Sequence, residues 1–337
     1  MSKSARTRSF PHRRGAALAA GAALTALACC DTASAQTGAA LLVEPFPKEQ
    51  LIDTGGSWMY EDAGHVKGSD ESIRLGIYES VGRVRLFPGN LASPRVGWEL
   101  EYLDLRGGES DLLPGHLSDQ SVGAAFPVGK INDWIFGVAF GVGYSGASPF
   151  GEGGAWYGQA SAIAFRQFSE SDGLVFVLDY DGNRTFLPDV PLPGVAYTRR
   201  VNPNLFYVVG LPLSSVTWKP FEKLSVEAGW LPIESFHAAV GYEFTPHWSA
   251  FGSMDYHSNA FRIDGLSGND RLLFQHRRAE VGVRWGPRRQ RESVAFTAAV
   301  GYAWGQEFSI GFDSRETDEV ADISDEPYVR LGFEVKF

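Results

Sequence analysis

Residues 328–337 run Tyr328-Val-Arg-Leu-Gly-Phe-Glu-Val-Lys-Phe337, and their spacing decides the fold. In an extended chain, successive side chains point to opposite faces. Val329, Leu331, Phe333, Val335 and Phe337 then line one face, while Arg330, Gly332, Glu334 and Lys336 line the other. One face is wholly apolar and its opposite is charged or small. Such a strand must lay its apolar face on a core or against lipid.

The same alternation recurs upstream. Trp134 to Tyr144 sets Trp134, Phe136, Val138, Phe140, Val142 and Tyr144 against Ile135, Gly137, Ala139, Gly141 and Gly143. Val294 to Trp304 sets Val294, Phe296, Ala298, Val300, Tyr302 and Trp304 against Ala295, Thr297, Ala299, Gly301 and Ala303. Phe236, Ala238, Val240, Tyr242 and Phe244 oppose His237, Ala239, Gly241 and Glu243; Ala279, Val281, Val283 and Trp285 oppose Arg278, Glu280, Gly282 and Arg284, with Gln275 and Arg277 on the outward face placing the start of that strand beyond the hydrocarbon. No long apolar segment keeps the 3.6-residue period of a helix. Bulky residues on one face with Gly, Ala and charges on the other describe a barrel wall, apolar towards lipid and polar towards a lumen.

Composition excludes the alternatives. The chain has 337 residues, 44% hydrophobic, 21% charged, with 39 Gly and 13% aromatics. Its mean hydropathy is −0.14. No uninterrupted apolar run reaches the ~20 residues that a membrane helix needs. The 23 Phe, 12 Tyr and 9 Trp also argue against disorder.

The first 35 residues have the grammar of a cleavable secretory signal. Arg6, Arg8, Arg13 and Arg14 precede the apolar run Gly15 to Ala28, and Ala33-Ser34-Ala35 offers a cleavage site. Cleavage would take five of the 30 basic and one of the 40 acidic residues, leaving 302 residues with net charge −14. Both cysteines, Cys29 and Cys30, would leave with it. An acidic chain is a poor match for nucleic acid. The expected location is the bacterial outer membrane, with membrane lipid and the barrel assembly machinery as partners. Val329, Leu331, Phe333, Val335 and Phe337 supply the alternating, aromatic-ended signal for that machinery.

The expectation is an all-β, transmembrane, antiparallel up-and-down barrel over 56–337, of about 14 strands within a range of 12–16. Further strands fall near 72–79, 95–105, 120–128, 156–168, 174–182, 193–200, 204–218, 224–231 and 247–257. Loop parity fails across 204–244, so either 204–218 is two strands broken at Pro212 or one run there is not a strand. Residues 36–55, with Pro45 and Pro47, are expected as a periplasmic tail or a plug in the lumen. Longer polar loops are expected at 106–118, 146–154, 183–191, 258–271 and 313–326.

Catalytic signals are weak. The six histidines beyond residue 35 are scattered, with no HExxH motif and no cysteine to share a zinc ion. His257 and Ser258 suggest the His/Ser pairing of barrel lipid hydrolases, but adjacent residues fall on opposite strand faces. Asp255, Asp264 and Asp270 lack the spacing of a calcium loop. No cofactor and no enzyme activity are expected. The lumen-facing candidates are Glu99, Glu101, Glu243, Arg278, Glu280, Arg284, Arg330, Glu334 and Lys336. Carboxylates and bases on facing inner walls stiffen a barrel and, around an open passage, set ion preference.

Leu211-Pro212-Leu213, followed by Val216-Thr217-Trp218-Lys219-Pro220 and the Phe-ended final strand, resembles an uncharacterised family of bacterial outer-membrane barrels. That resemblance implies the fold and carries no activity or site residues. Size and a possible N-terminal plug give a weaker likeness to 14-strand barrels that move hydrophobic compounds. Two roles follow: a pore or transporter for small solutes of unknown identity, or a closed structural or adhesion barrel acting through its outer loops.

Overall fold

The computed structural model describes residues 37–43, 46–90, 92–106, 113–151, 153–231, 235–266, 269–287 and 293–337. The expected signal peptide, 1–35, lies outside the described residues. A short helix, α1 (Ala40–Val43), precedes β1 (Ile52–His65), β2 (Ser72–Arg85), β3 (Arg95–Arg106), β4 (His116–Ile131) and β5 (Trp134–Gly146). Next come β6 (Trp156–Gln167), β7 (Asp172–Asp181), β8 (Leu192–Asn202), β9 (Leu205–Leu211) and β10 (Ser214–Phe221). The chain continues through β11 (Leu224–Leu231), β12 (Ser235–Glu243), β13 (Trp248–Phe261), β14 (Arg271–Trp285), β15 (Ser293–Asp313), β16 (Glu316–Ile323) and β17 (Glu326–Lys336).

Each strand pairs antiparallel with its neighbour, and the circuit closes where β1 meets β17, from Asp53↔Lys336 to Glu61↔Tyr328. Closure pairs β1 with β17, which would otherwise be open edges of the wall. The far end of β15 pairs with β16, and its first half pairs with β17. The closed wall therefore has 16 strands, with β16 standing outside the circuit.

The count of about 14 is corrected for two physical reasons. Proline cannot donate a ladder hydrogen bond, so the 204–218 run divides at Pro212 into β9 and β10. Ile52–His65 also joins the wall, although its Gly55-Gly56 pair and three acidic residues hide the alternation. Ile52–Gly55 belong to β1, inside the stretch 36–55 expected as tail or plug. The 313–326 segment, expected as a loop, holds β16, whose tight turn is clamped by the Arg315 guanidinium on the Asp313 carboxylate.

Several turns near the end that carries Phe337, the near rim, are tight, while residues 86–94 make a longer connection there between β2 and β3. At Asn132-Asp133 two residues join β4 to β5, and Asn132 adopts φ 54°, the left-handed geometry that tight hairpins require. Outside, the alternation is realised as exposed apolar residues around the wall, including Phe140, Val209, Val240, Val281, Phe296, Val300 and Leu331. Val329, Phe333 and Phe337 are also exposed and Val335 is half-buried.

Candidate functional site

The candidate site is the lumen, and its inner wall changes character along the axis. At the far end, Met59, Leu75, Ile77, Leu103, Leu117, Phe261, Leu272, Phe274 and Phe308 are buried to 1% exposure or less. They form one apolar core inside the barrel. Phe274 and Phe308 stack with ring centroids 4.5 Å apart. Over this end the walls meet: Ser145 donates to the Ala260 carbonyl at 2.7 Å, and the Arg262 amide donates to the Ser145 carbonyl at 3.0 Å. The loop from β7 to β8 folds in as well. Asn183 Nδ2 donates to Asp119 (2.8 Å) and to the Ala260 carbonyl (2.9 Å). Arg271, 1% exposed, donates to the carbonyls of Arg184 (3.0 Å) and Phe312 (2.8 Å).

Towards the near rim the inward face turns polar. A cavity of about 240 Å³ lies against β1, β2, β11–β15 and β17. Its lining includes Asp53, Glu79, Glu227, Asp255, Glu280 and Glu334 together with Arg83, Arg278, Arg284, Arg330 and Lys336. The charges are paired. Arg83 donates to Asp53 at 2.9 Å, Arg284 to Glu334 at 2.9 Å, and Arg330 Nε to Glu280 at 2.9 Å. Arg278 on β14 faces Glu79 on β2 at 3.4 Å, three strands of wall away.

These pairs depend on what lies beneath them. Between β14 and β17, β15 presents Ala295, Thr297, Ala299, Gly301 and Ala303 inward. Long side chains from both neighbours reach each other above this low strip. The Tyr328 ring covers Gly301 so closely that a Cβ there would stand 2.3 Å from Cζ, and its hydroxyl donates to Glu280 at 3.1 Å. The opposite wall repeats the device: Tyr157 covers Gly143 and donates to Asp119 at 2.7 Å.

Residues 37–43 lie against that opposite wall, and Phe46 against β2 and β3. Leu41 and Leu42 of α1 pack on Ala125, Ala139 and Ile163. Thr37 approaches Glu99 at 3.5 Å, and the Leu41 carbonyl accepts a hydrogen bond from Arg95 at 2.7 Å. Phe46, 5% exposed, sits among the guanidinium groups of Arg83, Arg85 and Arg95.

Of the sequence candidates, Arg278, Glu280, Arg284, Arg330, Glu334 and Lys336 line the cavity. Glu99 and Glu101 lie elsewhere on the wall, where Asn259 Nδ2 donates to Glu101 at 2.6 Å. Glu243 stands at the near-rim end of β12, outside that lining. Asp53, Glu79 and Arg83 join the lining without having been singled out, alongside His237, which the alternation had turned inward, and Asp255, weighed only as a calcium-loop residue; extending the parity of β2 past residue 79 finds Arg83 and Arg85. His237 Nδ1 and Asp255 Oδ1 lie 2.6 Å apart. His257 lines the cavity, whereas Ser258, next in β13, points to the opposite face. Among the described residues no three His, Cys, Asp or Glu side chains gather where they could hold a metal ion.

Fold and lumen define a closed antiparallel β-barrel with an apolar exterior, one packed half and one polar half. No protein-family model and no curated protein matches the sequence. Among solved structures, a TodX monoaromatic hydrocarbon channel mutant aligns at 9% identity over 89% of this chain and 94% of its own, with TM-score 0.41. An outer-membrane channel from Pseudomonas putida F1 aligns at 12% identity over 87% and 97%, with TM-score 0.37. A Pseudomonas aeruginosa FadL homologue aligns at 9% over 89% and 92%, with TM-score 0.39. Likeness this distant carries nothing about cargo.

Proposed function

We propose that this chain is an outer-membrane channel or transporter for small polar solutes, described here in a closed state. The observation that carries the reading is the charge-lined cavity on the inner face of the near half of the wall. Its volume, about 240 Å³, lies just below the range of about 300–1,000 Å³ typical of pockets for drug-sized ligands. That size suits a small solute. The apolar exterior is the lipid-facing surface, the first 35 residues are the export signal, and the β17 face from Val329 to Phe337 is the element the assembly machinery receives. Residues 37–43 and 46–50 act as a plug on the near side, and the apolar core with the β7–β8 loop is the barrier on the far side.

Single-channel recording of purified protein in planar bilayers tests this, with discrete openings expected. Silence across a range of salts and voltages would sink it. The packed far half specifically favours a second reading, a permanently closed barrel whose outer loops bind a partner or surface. On that reading, loosening the far core changes stability and never conductance.

A further inference from the structure

We propose that His257 and His276 form an acid-sensitive latch on the barrier, shut while both rings are neutral and released when both are charged. The proposal concerns how the passage opens and so rests on the channel reading. The two histidines are direct cross-strand partners in the β13–β14 register, with ring centroids 5.9 Å apart. They stand at the step from cavity to packed core. His257 lines the cavity. His276 is 3% exposed, and neither of its ring nitrogens has a hydrogen-bond partner among the described residues. Its ring lies 4.9 Å from that of Phe274, which stacks on Phe308 and so belongs to the barrier.

The surrounding charges treat the two rings differently. Glu79 of β2 and Asp255 of β13 answer a charge on His257, while Arg278 of β14 and His237 of β12 oppose it. The charged groups that act on His276 are Arg278 and His257 themselves. Glu61 of β1 acts on Arg278. A neutral imidazole fits this core, whereas an imidazolium there is a buried charge without a counter-charge, which costs a great deal. With His257 charged as well, two like charges face each other across adjacent strands and repel.

The wall is least tied at the same level. Opposite His276, β15 sets two residues, Gly305 and Gln306, against one, with Gly305 at φ 58°, a bulge that bends the strand. There β15 also changes partner, from β17 (last pair Ala303↔Glu326) to β16 (first pair Gln306↔Ile323). A charged His276 swings out with the strand beyond the bulge and takes Phe274 with it. An imidazole that stays neutral when shut and regains its ordinary pKa of about 6.5 when released shifts the balance by a factor 1 + 10^(6.5 − pH). That factor is about thirty at pH 5 and about one at pH 7.5.

The test is bilayer recording of the full chain at pH 7.5 and pH 5, comparing wild type with His276→Phe, which keeps a ring in the core and takes no proton. Heat-modifiable gel mobility checks that each barrel is folded; if His276→Phe is not, His276→Gln, neutral at both pH values, replaces it. Backbone hydrogen exchange of residues 271–276 and 305–310, corrected for the intrinsic pH dependence of exchange, is read on the same samples. In wild type, acid should raise both the open probability and the exchange of these segments by about tenfold to thirtyfold. In the folded variant both should stay within about twofold. An acid response that survives in the variant, or none in wild type, overturns the proposal. The two readouts separate the latch from the channel. Conducting protein with equal openings and exchange at both pH values removes the latch alone. Silent protein whose exchange rises with acid only when His276 is present keeps the latch and removes the channel.

Discussion

Glu280→Ala measures how firmly the inner charges brace the wall. The Glu280 side chain is 4% exposed and accepts hydrogen bonds from Arg330 Nε (2.9 Å), Arg330 Nη2, Tyr328 Oη (3.1 Å) and Ser253 Oγ (3.3 Å). Removing one partner of a buried ion pair costs about 3–5 kcal/mol, because the other charge stays buried and unanswered. Arg330 keeps 19% of its side chain exposed beside the cavity. Water reaching it recovers part of that loss, so the expected cost is about 2–3 kcal/mol. Glu243→Ala at the rim is the control, expected within about 0.5 kcal/mol. Reversible urea unfolding in lipid vesicles, followed by tryptophan fluorescence, gives both values. Adding Arg330→Ala completes a double-mutant cycle with an expected coupling of about 1–3 kcal/mol. A Glu280→Ala cost below about 0.5 kcal/mol, or strict additivity in the cycle, would refute the bracing role.

Gly301→Val should cost at least about 3 kcal/mol in the same assay, since its Cβ would stand 2.3 Å from Tyr328 Cζ and 2.6 Å from the Ala279 carbonyl oxygen. Tyr328→Ala should not rescue it, because the backbone clash remains; full rescue would show that the ring alone imposes the glycine. Phe308→Ala removes a fully buried ring from the far core and should cost about 3–5 kcal/mol. On the channel reading it should also raise the frequency of bilayer openings; unchanged frequency at that stability loss would place the barrier elsewhere. Leu331→Arg, on the exposed outer face, should cost about 2–4 kcal/mol in lipid if it lies near the midplane. Stability unchanged in vesicles would argue that this face does not meet hydrocarbon.

The division between inside and outside was legible because strand geometry fixes it locally. Val329, Leu331 and Phe333 stand outside, and Arg330 and Glu334 line the cavity. The break of 204–218 at Pro212 was legible only as one of two alternatives, because periodicity alone joins that apolar run. Strand β1 escaped because Gly55-Gly56 offers no side chains with which to alternate. The partnerships stayed hidden because they follow from curvature. Arg278 and Glu79 are 199 residues apart in sequence, and only closure of the wall sets them on facing surfaces. Phe46 among three arginines was likewise invisible, since a short apolar segment with prolines does not state where it docks.

Depth is the property that a count of alternating residues averages away, although the sequence contains it. The inward positions of β2, taken from the far rim, are Ile73, Leu75, Ile77, Glu79, Val81, Arg83 and Arg85; those of β14 are Leu272, Phe274, His276, Arg278, Glu280, Gly282 and Arg284. Both strands change from apolar to charged midway, and neighbouring registers bring those changes to one level. Above it the inner residues exclude water and pack on one another across the lumen. Below it buried charges must find partners, and the low strip of β15 lets them do so without filling the space between. A lumen polar throughout would stand open to both sides, and one apolar throughout would have no cavity to serve. The step between the two sets the barrier in the far half and the polar cavity in the near half, so any solute that crosses must part the Phe274–Phe308 stack or pass around it.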